Sequence, residues 1–288
     1  MKQSHINLIF SSERKRDLLL FLKNGPKDIE IIKKKLKVDA STIQPHIKKM
    51  IDYDLIAQKD ELYKLSRKGE IVVENVESLL NTIEVFERNF DYWKTHDLTS
   101  IPDFLLNRID ELGHFELLEP SAEHLAETPN ILLENMLASK EIFTFVSYFH
   151  PEAPSIYAEL AEKEAEITVC MTENVAKRLF SGSQNETEKL YKAKNLKMFL
   201  LREKVRIPAI IVSDLFLAFK LFENDGKLRD QLVLCFGEKA MLWGKSLISY
   251  IISTSDVVPL RLEDFESPDF YNSLKEVSSQ ERGYGQKM

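Results

Sequence analysis

Within nine residues, Ser41, Thr42, Gln44, Pro45, Lys48 and Lys49 gather side-chain types that can read a nucleic acid. A glutamine amide can pair bidentately with adenine, hydroxyls can meet base edges or phosphate oxygens, and lysines neutralise phosphate. Proline adds a rigid apolar surface, tolerated in the first turn of a helix where a missing N–H costs least. Lys59, Lys64, Arg67 and Lys68 follow closely and could hold phosphate oxygens. A second polar set, His150, Thr172, Glu173, Ser213 and Asp214, falls at the ends of strand-like runs. If those ends converge, as at ligand sites in α/β sheets, the five form a small-molecule site; otherwise they are ordinary strand-end polar residues. The two cysteines and six histidines lack metal-ligand spacing, and there is no glycine-rich phosphate cradle, so no metal and no cofactor is expected.

The reading residues need a helix to present them, and the pattern supplies three in succession. The first runs from about Ser12 to Lys23, with Leu18, Leu19, Phe21 and Leu22 on its apolar side, and Asn24-Gly25-Pro26 stops it. The second, about Asp28 to Leu36, sets Ile29, Ile32 and Leu36 at helical spacing. After a turn over Lys37–Ala40, Ser41 and Gln44 fit a capping box at the head of a third helix reaching about Asp54. Ile43, Ile47, Met50 and Ile51 form its inner face, leaving Ser41, Pro45, Lys48 and Asp52 opposite. Leu55–Gln58 and Leu62–Leu65 alternate as a hairpin around Lys59-Asp60-Glu61, and Ser66-Arg67-Lys68-Gly69 opens the next helix. This order is that of a winged helix-turn-helix. The segments 41–50 and 63–69 resemble the ArsR-like winged helices of archaeal transcription regulators.

Charge is divided to match. Residues 1–75 hold 16 Lys and Arg against 11 Asp and Glu, whereas the remainder holds 23 against 35. A chain of net charge −7 must therefore confine any nucleic-acid footprint to its N-terminal part. Its 288 residues suggest a second domain, and 44% hydrophobic content with 17 Phe can fill that core. The lone cysteines Cys170 and Cys235 form no disulfide framework. Without a signal-like N-terminus or a long apolar span, a cytoplasmic protein with no membrane partner is expected.

A long helix over about Glu70–Lys94 would follow residues 1–69. Val72, Val76, Leu79, Ile83, Phe86, Phe90 and Trp93 recur at alternating steps of four and three, a heptad seam. The seam can join two copies into a homodimer, which would match a two-fold operator, or it can pack on its own chain. A short helix from Ile101-Pro102 to about Leu112 completes a linker over 70–114.

Residues 115–262 alternate strand and helix signals. Strands are expected at 142–148, 166–171, 196–201, 209–212, 215–222 and 231–236, with helices near 154–164, 173–180, 185–193 and 239–252. The fold class is α+β: a winged helix-turn-helix, a coiled-coil-like helical linker and an α/β domain, followed by a tail over 263–288. Residues 166–178, 208–222 and 238–244 resemble the middle domain of a regulator family of methane-producing archaea, whose namesake controls filament formation and methanogenesis. The resemblance implies a transcription factor whose second domain senses an effector or mediates assembly, on a fold similar to phospholipase D. That chemistry requires His-x-Lys with Asp four residues on, the imidazole attacking phosphorus. Only His46-Ile47-Lys48 has the spacing; it lies in the third helix and leads to Tyr53, so no enzyme is expected. The favoured reading is a dimeric regulator that binds double-stranded DNA and a small effector. The alternative is a protein-interaction module of the transcription machinery.

Overall fold

The computed structural model describes residues 5–10, 12–119, 127–163, 165–180, 189–190, 192–202 and 205–260. The tail over 263–288 lies outside them, as does most of the helix expected at 185–193. The chain divides into two compact units after Glu84, fifteen residues beyond the expected boundary at 69.

The first unit builds on four helices, α1 (His5–Phe10), α2 (Glu13–Leu22), α3 (Ile29–Leu36) and α4 (Ala40–Asp52). Leu18, Leu22, Ile32, Ile43, Ile47, Met50 and Leu55 form its dry centre. Asp28 caps α3 by accepting the Ile31 N–H at 2.8 Å, and Lys37, at φ 51°, ends it. That left-handed residue turns the chain early enough for α4 to start at Ala40 behind Asp39. The expected capping box of Ser41 and Gln44 is therefore not formed: both residues already lie inside the helix. For the same reason Pro45 falls in the second turn, where it removes the bond that would reach the Ser41 carbonyl.

Strands β1 (Ile56–Lys59) and β2 (Leu62–Leu65) pair antiparallel, Lys59 opposite Leu62. Asp60 and Glu61 close the hairpin with φ of 48° and 64°, the signature of a type I′ turn. Lys27 and Tyr63 exchange backbone hydrogen bonds of 2.9 and 2.8 Å, tying the α2–α3 connection to β2. Ser66 Oγ donates to the Asp54 carbonyl at 2.6 Å and accepts the Gly69 N–H at 3.0 Å, fixing the entry to α5 (Arg67–Arg88). At Gly69 a Cβ would stand 2.0 Å from the Leu55 carbonyl oxygen, so only glycine fits that crossing.

The expected long helix breaks at Asn89 (φ −131°, ψ 50°), and α6 (Phe90–Thr95) starts afresh. The second unit continues with α7 (Asp103–Leu106) and a 3₁₀ turn ended by Gly113 at φ 60°. Its core is an eight-stranded mixed sheet: β3 (Phe115–Leu118), β4 (Glu141–Val146), β5 (Glu166–Thr172), β6 (Leu196–Leu201), β7 (Ala209–Ser213), β8 (Leu217–Lys220), β9 (Leu232–Cys235) and β10 (Val257–Pro259). Across the sheet the order is β10-β6-β5-β4-β7-β8-β9-β3. Strands β4, β5 and β6 are parallel, and every other pairing is antiparallel.

Strict alternation divides the side chains between two layers. Phe145, Cys170, Ile210, Val212, Leu217, Phe219 and Val233 meet Trp93, Leu105, Ile109 and Trp243 on one face. Trp243 belongs to α11 (Glu238–Thr254), whose Gly244 lies against Leu217 and Val212. Ile142, Val169, Met171, Ala218 and Leu234 meet α8 (Asn130–Ala138), α9 (Ala153–Ala161) and α10 (Glu173–Phe180) on the other. The sequence reading omits β3, β10 and α8. The strands are edge pieces of four and three residues, too short to show a period.

Candidate functional site

On α4, Ser41, Gln44, Pro45 and Lys48 are exposed, while Ile43, Ile47 and Met50 on the opposite side are buried. Thr42 and Lys49 are half-exposed at the margins. The absent capping box has a consequence here. Among the described residues neither the Ser41 hydroxyl nor the Gln44 amide makes a hydrogen bond, so both can address a ligand. The surroundings are positive. His46 has its pKa lowered, first by burial and then by Lys15, Arg14 and Lys49 around it.

The hairpin and the start of α5 divide the four expected phosphate contacts. Lys59 and Lys64 project from the hairpin into solvent. Arg67 makes an exposed ion pair of 2.9 Å with Glu70 one turn on. Lys68 is engaged structurally: its Nζ donates to the Tyr53 carbonyl at 3.0 Å, closing the C-terminal end of α4.

The heptad seam is divided too. Val72 and Val76 pack against the first unit's core. Leu79 and Ile83 are 48% and 42% exposed. Phe86 packs on the second unit's core, and Trp93 is buried there, its indole N–H donating to the Val85 carbonyl at 2.8 Å. Phe90, beyond the helix break, is 61% exposed.

The five expected ligand residues do not meet. Strand β7 runs antiparallel to β4, with Ser213 opposite Ile142 at the start of β4. Ser213 and Asp214 therefore lie at one end of the sheet and His150, Thr172 and Glu173 at the other. Ser213 Oγ accepts the N–H groups of Leu215 and Phe216, and Asp214 accepts those of Lys140 and Glu141; these are turn-forming roles. Convergence fails because it assumes parallel strands throughout. Among the described residues, two separate openings lie at the His150 end. Thr172 and Glu173 border a polar cleft of about 520 Å³ together with Asp97, Arg202 and Arg206. His150 lines a different, apolar cavity of about 90 Å³ between the sheet and helices α8, α9 and α10.

Sequence reasoning missed the residue that stands out in this cavity. Lys220, the last residue of β8, is 7% exposed and ion-paired with Asp230. Its Nζ also lies 5.2 Å from the centre of the Tyr148 ring. Burial pulls the lysine pKa down, but Tyr148 and Asp230 together outweigh it and the net shift is upward. His150 is shifted down, by burial first and Lys220 second. The available signal was a lysine ending the apolar run Leu-Ala-Phe, with its partner ten residues away.

Comparison with known proteins follows the same division. Residues 3–84 match the N-terminal domain, and residues 125–254 the middle domain, of the methanogenesis regulatory protein FilR1. Both belong to one regulator. The chain is similar to the methanogenesis regulatory protein FilR1 of Methanothrix harundinacea (strain 6Ac), at 28% identity over 255 residues. That match covers 87% of this chain and 57% of the relative, so the chain spans little more than half the relative's length. Among solved structures, TrmBL2, described as an archaeal chromatin protein with a novel mode of DNA binding, covers 87% of this chain and 96% of its own at 11% identity and a TM-score of 0.38. The phospholipase D family member Nuc of Salmonella typhimurium covers 51% of this chain and 99% of its own, at 10% identity and a TM-score of 0.35. Both are distant likenesses. No helix among the described residues is long and apolar enough to cross a membrane.

Proposed function

We propose that this chain is a dimeric, sequence-specific DNA-binding transcription regulator whose second unit answers to an effector. In this reading the first unit is an ArsR-like winged helix-turn-helix with α4 as its recognition helix and the β1–β2 hairpin as its wing. The carrying observation is the face of α4. Ser41, Gln44, Pro45 and Lys48 stand exposed over a buried Ile43, Ile47 and Met50, with two of the polar side chains left unbonded. The match to the FilR1 N-terminal domain supports it, since that protein is named a regulator.

The helix would lie in the major groove, Gln44 reading a base while Lys48, Lys49, Lys59, Lys64 and Arg67 hold phosphates. Leu79, Ile83 and Phe90, apolar and exposed, are the residues of the seam available to a second copy. The second unit, a relative of the phospholipase D fold without its catalytic motif, has a regulatory role and no turnover. An effector acts only by binding the DNA-competent and incompetent states differently.

The test is a mobility shift on the DNA upstream of the protein's own gene, at two salt concentrations, with Gln44→Ala/Lys48→Ala alongside. A shift that weakens steeply with salt and is lost in the double variant is expected. Binding indifferent to both would overturn the reading.

A further inference from the structure

We propose that the apolar cavity of the second unit takes a short-chain molecule with one acceptor-oxygen head, a carboxylate or acyl carbonyl, seated on Lys220. This deepens the effector reading, which supplies only the regulatory consequence of binding. The size follows from the volume. At 90 Å³, against about 150 Å³ for a cavity that takes benzene, the space holds about four non-hydrogen atoms, the head and first carbons of such a molecule.

The wall chemistry sets the tail. Val146, Met171 and Ile211 from the sheet and Leu132, Val175 and Leu179 from the helices face the space. These six side chains welcome hydrocarbon, and the polar contacts are left to the remaining lining, Lys220, Asp230, Tyr148 and His150 among it.

The polar end sets the head. Lys220 occupies a position that the strand's alternation assigns to the same face as Ala218. Burying a cation there costs more than an aliphatic side chain would, so packing alone does not explain it. An ammonium has three N–H groups; Asp230 Oδ1 accepts one and the Tyr148 hydroxyl oxygen a second, which leaves one for a ligand. His150 Nδ1 accepts the Glu152 N–H at 3.3 Å, which leaves the imidazole proton on Nε2. Lys220, His150 and the Tyr148 hydroxyl thus supply donors, whereas of the two carboxylates that line the cavity Asp230 is paired with Lys220 and Glu127 is itself engaged. An amine head would meet a like charge. A phosphate would bring two charges to a cation that Asp230 already balances, where a carboxylate brings one and a carbonyl none.

The experiment uses the full chain at neutral pH with four probes of equal length: hexanoate, hexanamide, hexanol and hexylamine. Calorimetry and thermal shift read binding on the native protein, on Lys220→Met, and on Ile211→Trp, which fills the cavity from a different strand. Hexanoate or hexanamide should bind at least tenfold tighter than hexylamine, with hexanoate leading if the head is a carboxylate and hexanamide if it is a carbonyl. Lys220→Met should shrink that preference below threefold, and Ile211→Trp should abolish binding of every probe. If Lys220→Met fails to fold, Ile211→Trp still decides whether the probes use this cavity. Equal or tighter binding of hexylamine, absence of binding by both oxygen-headed probes, or binding that survives Ile211→Trp overturns the proposal. The same probes in the mobility shift separate the two readings. A probe that binds without altering DNA affinity leaves the cavity assignment standing and removes the effector role.

Discussion

The first unit turns its chemistry outward from a small helical core, whereas the second turns its chemistry inward onto a large sheet. On α4 the polar residues sit one or two positions from buried isoleucines, and helical period alone separates Gln44 and Lys48 from Ile43 and Ile47. Water solvates such a face, so folding places no demand on what stands there. In β8, Lys220 is enclosed between Phe219 and Leu221 and depends on Asp230 and Tyr148, neither of them in its own strand. An outward site is free to vary for its ligand. An inward site must satisfy packing and ligand together.

The sharpest way to break that comparison is to disturb each unit at its tightest glycine. Gly69→Ala sets a Cβ 2.0 Å from the Leu55 carbonyl oxygen, and backbone on both sides cannot give way. A loss of about 3 kcal/mol or more is expected, enough to unfold a unit with so small a core. Gly244→Ala meets the Leu217 Cδ1 at 2.6 Å and Val212 Cγ2 at 2.8 Å, side-chain ends that can rotate aside. About 1–2 kcal/mol is expected there. Hydrogen exchange resolves the two units; protection should collapse in residues 12–84 for the first variant and only decline around α11 and β7 for the second. Equal effects would mean that the small core is no more fragile than the large one.

What could be read from the chain follows the same outward–inward line. Helices α2, α3 and α4 and the strands β2 and β5 fall within a residue or two of their expected spans, because each carries a period or a breaker of its own. The face of α4 follows from that period. The start of α4 does not, since it depends on Lys37 adopting a left-handed conformation that no residue type announces. The inward site was beyond reach for a topological reason. His150 and Lys220 face one cavity only because β7 and β8 enter the sheet antiparallel beside β4, and pairing direction is not written in hydropathy. Ser213 and Asp214 fail as ligand residues for that same reason.

A titration sharpens the contrast from the inward side. The folded-state pKa of Lys220 is raised, so its contribution to stability is complete below the unfolded value of about 10.4 and is lost as pH climbs through the folded one. The second unit should therefore lose stability in alkali, where burial has raised Cys170, Cys235, Tyr92 and Tyr157 as well, and Lys220→Met should make that limb shallower without removing it. In acid the relevant groups are His96 and His150, both shifted downward chiefly by burial. His96 Nδ1 donates to the Tyr92 carbonyl at 2.7 Å, which favours the charged ring, but burial outweighs that bond. Stability should fall as pH drops below about 6.5, where the unfolded histidines take up protons first. Thermal melts of the native chain, Lys220→Met and His96→Gln across pH 5 to 11 check both limbs. A melting temperature of the second unit that stays flat in the native chain would deny the inward residues their electrostatic role.

The smallest effect comes from the outward side and separates two lysines four residues apart. Lys64 projects from the hairpin, whereas Lys68 donates to the Tyr53 carbonyl at the end of α4. If Lys64 meets a phosphate, its replacement by Ala releases one fewer counterion and should lower the slope of log affinity against log salt by about 0.9. Lys68→Ala should leave that slope nearly unchanged. It should instead cost about 0.5–1.5 kcal/mol of stability in the first unit, the worth of a net hydrogen bond. Measuring the slope and the melt for both variants assigns each lysine to the ligand or to the fold. If Lys68→Ala lowered the slope as much as Lys64→Ala, its ammonium would have to leave the Tyr53 carbonyl on binding, and α4 would then end differently on DNA than it does alone.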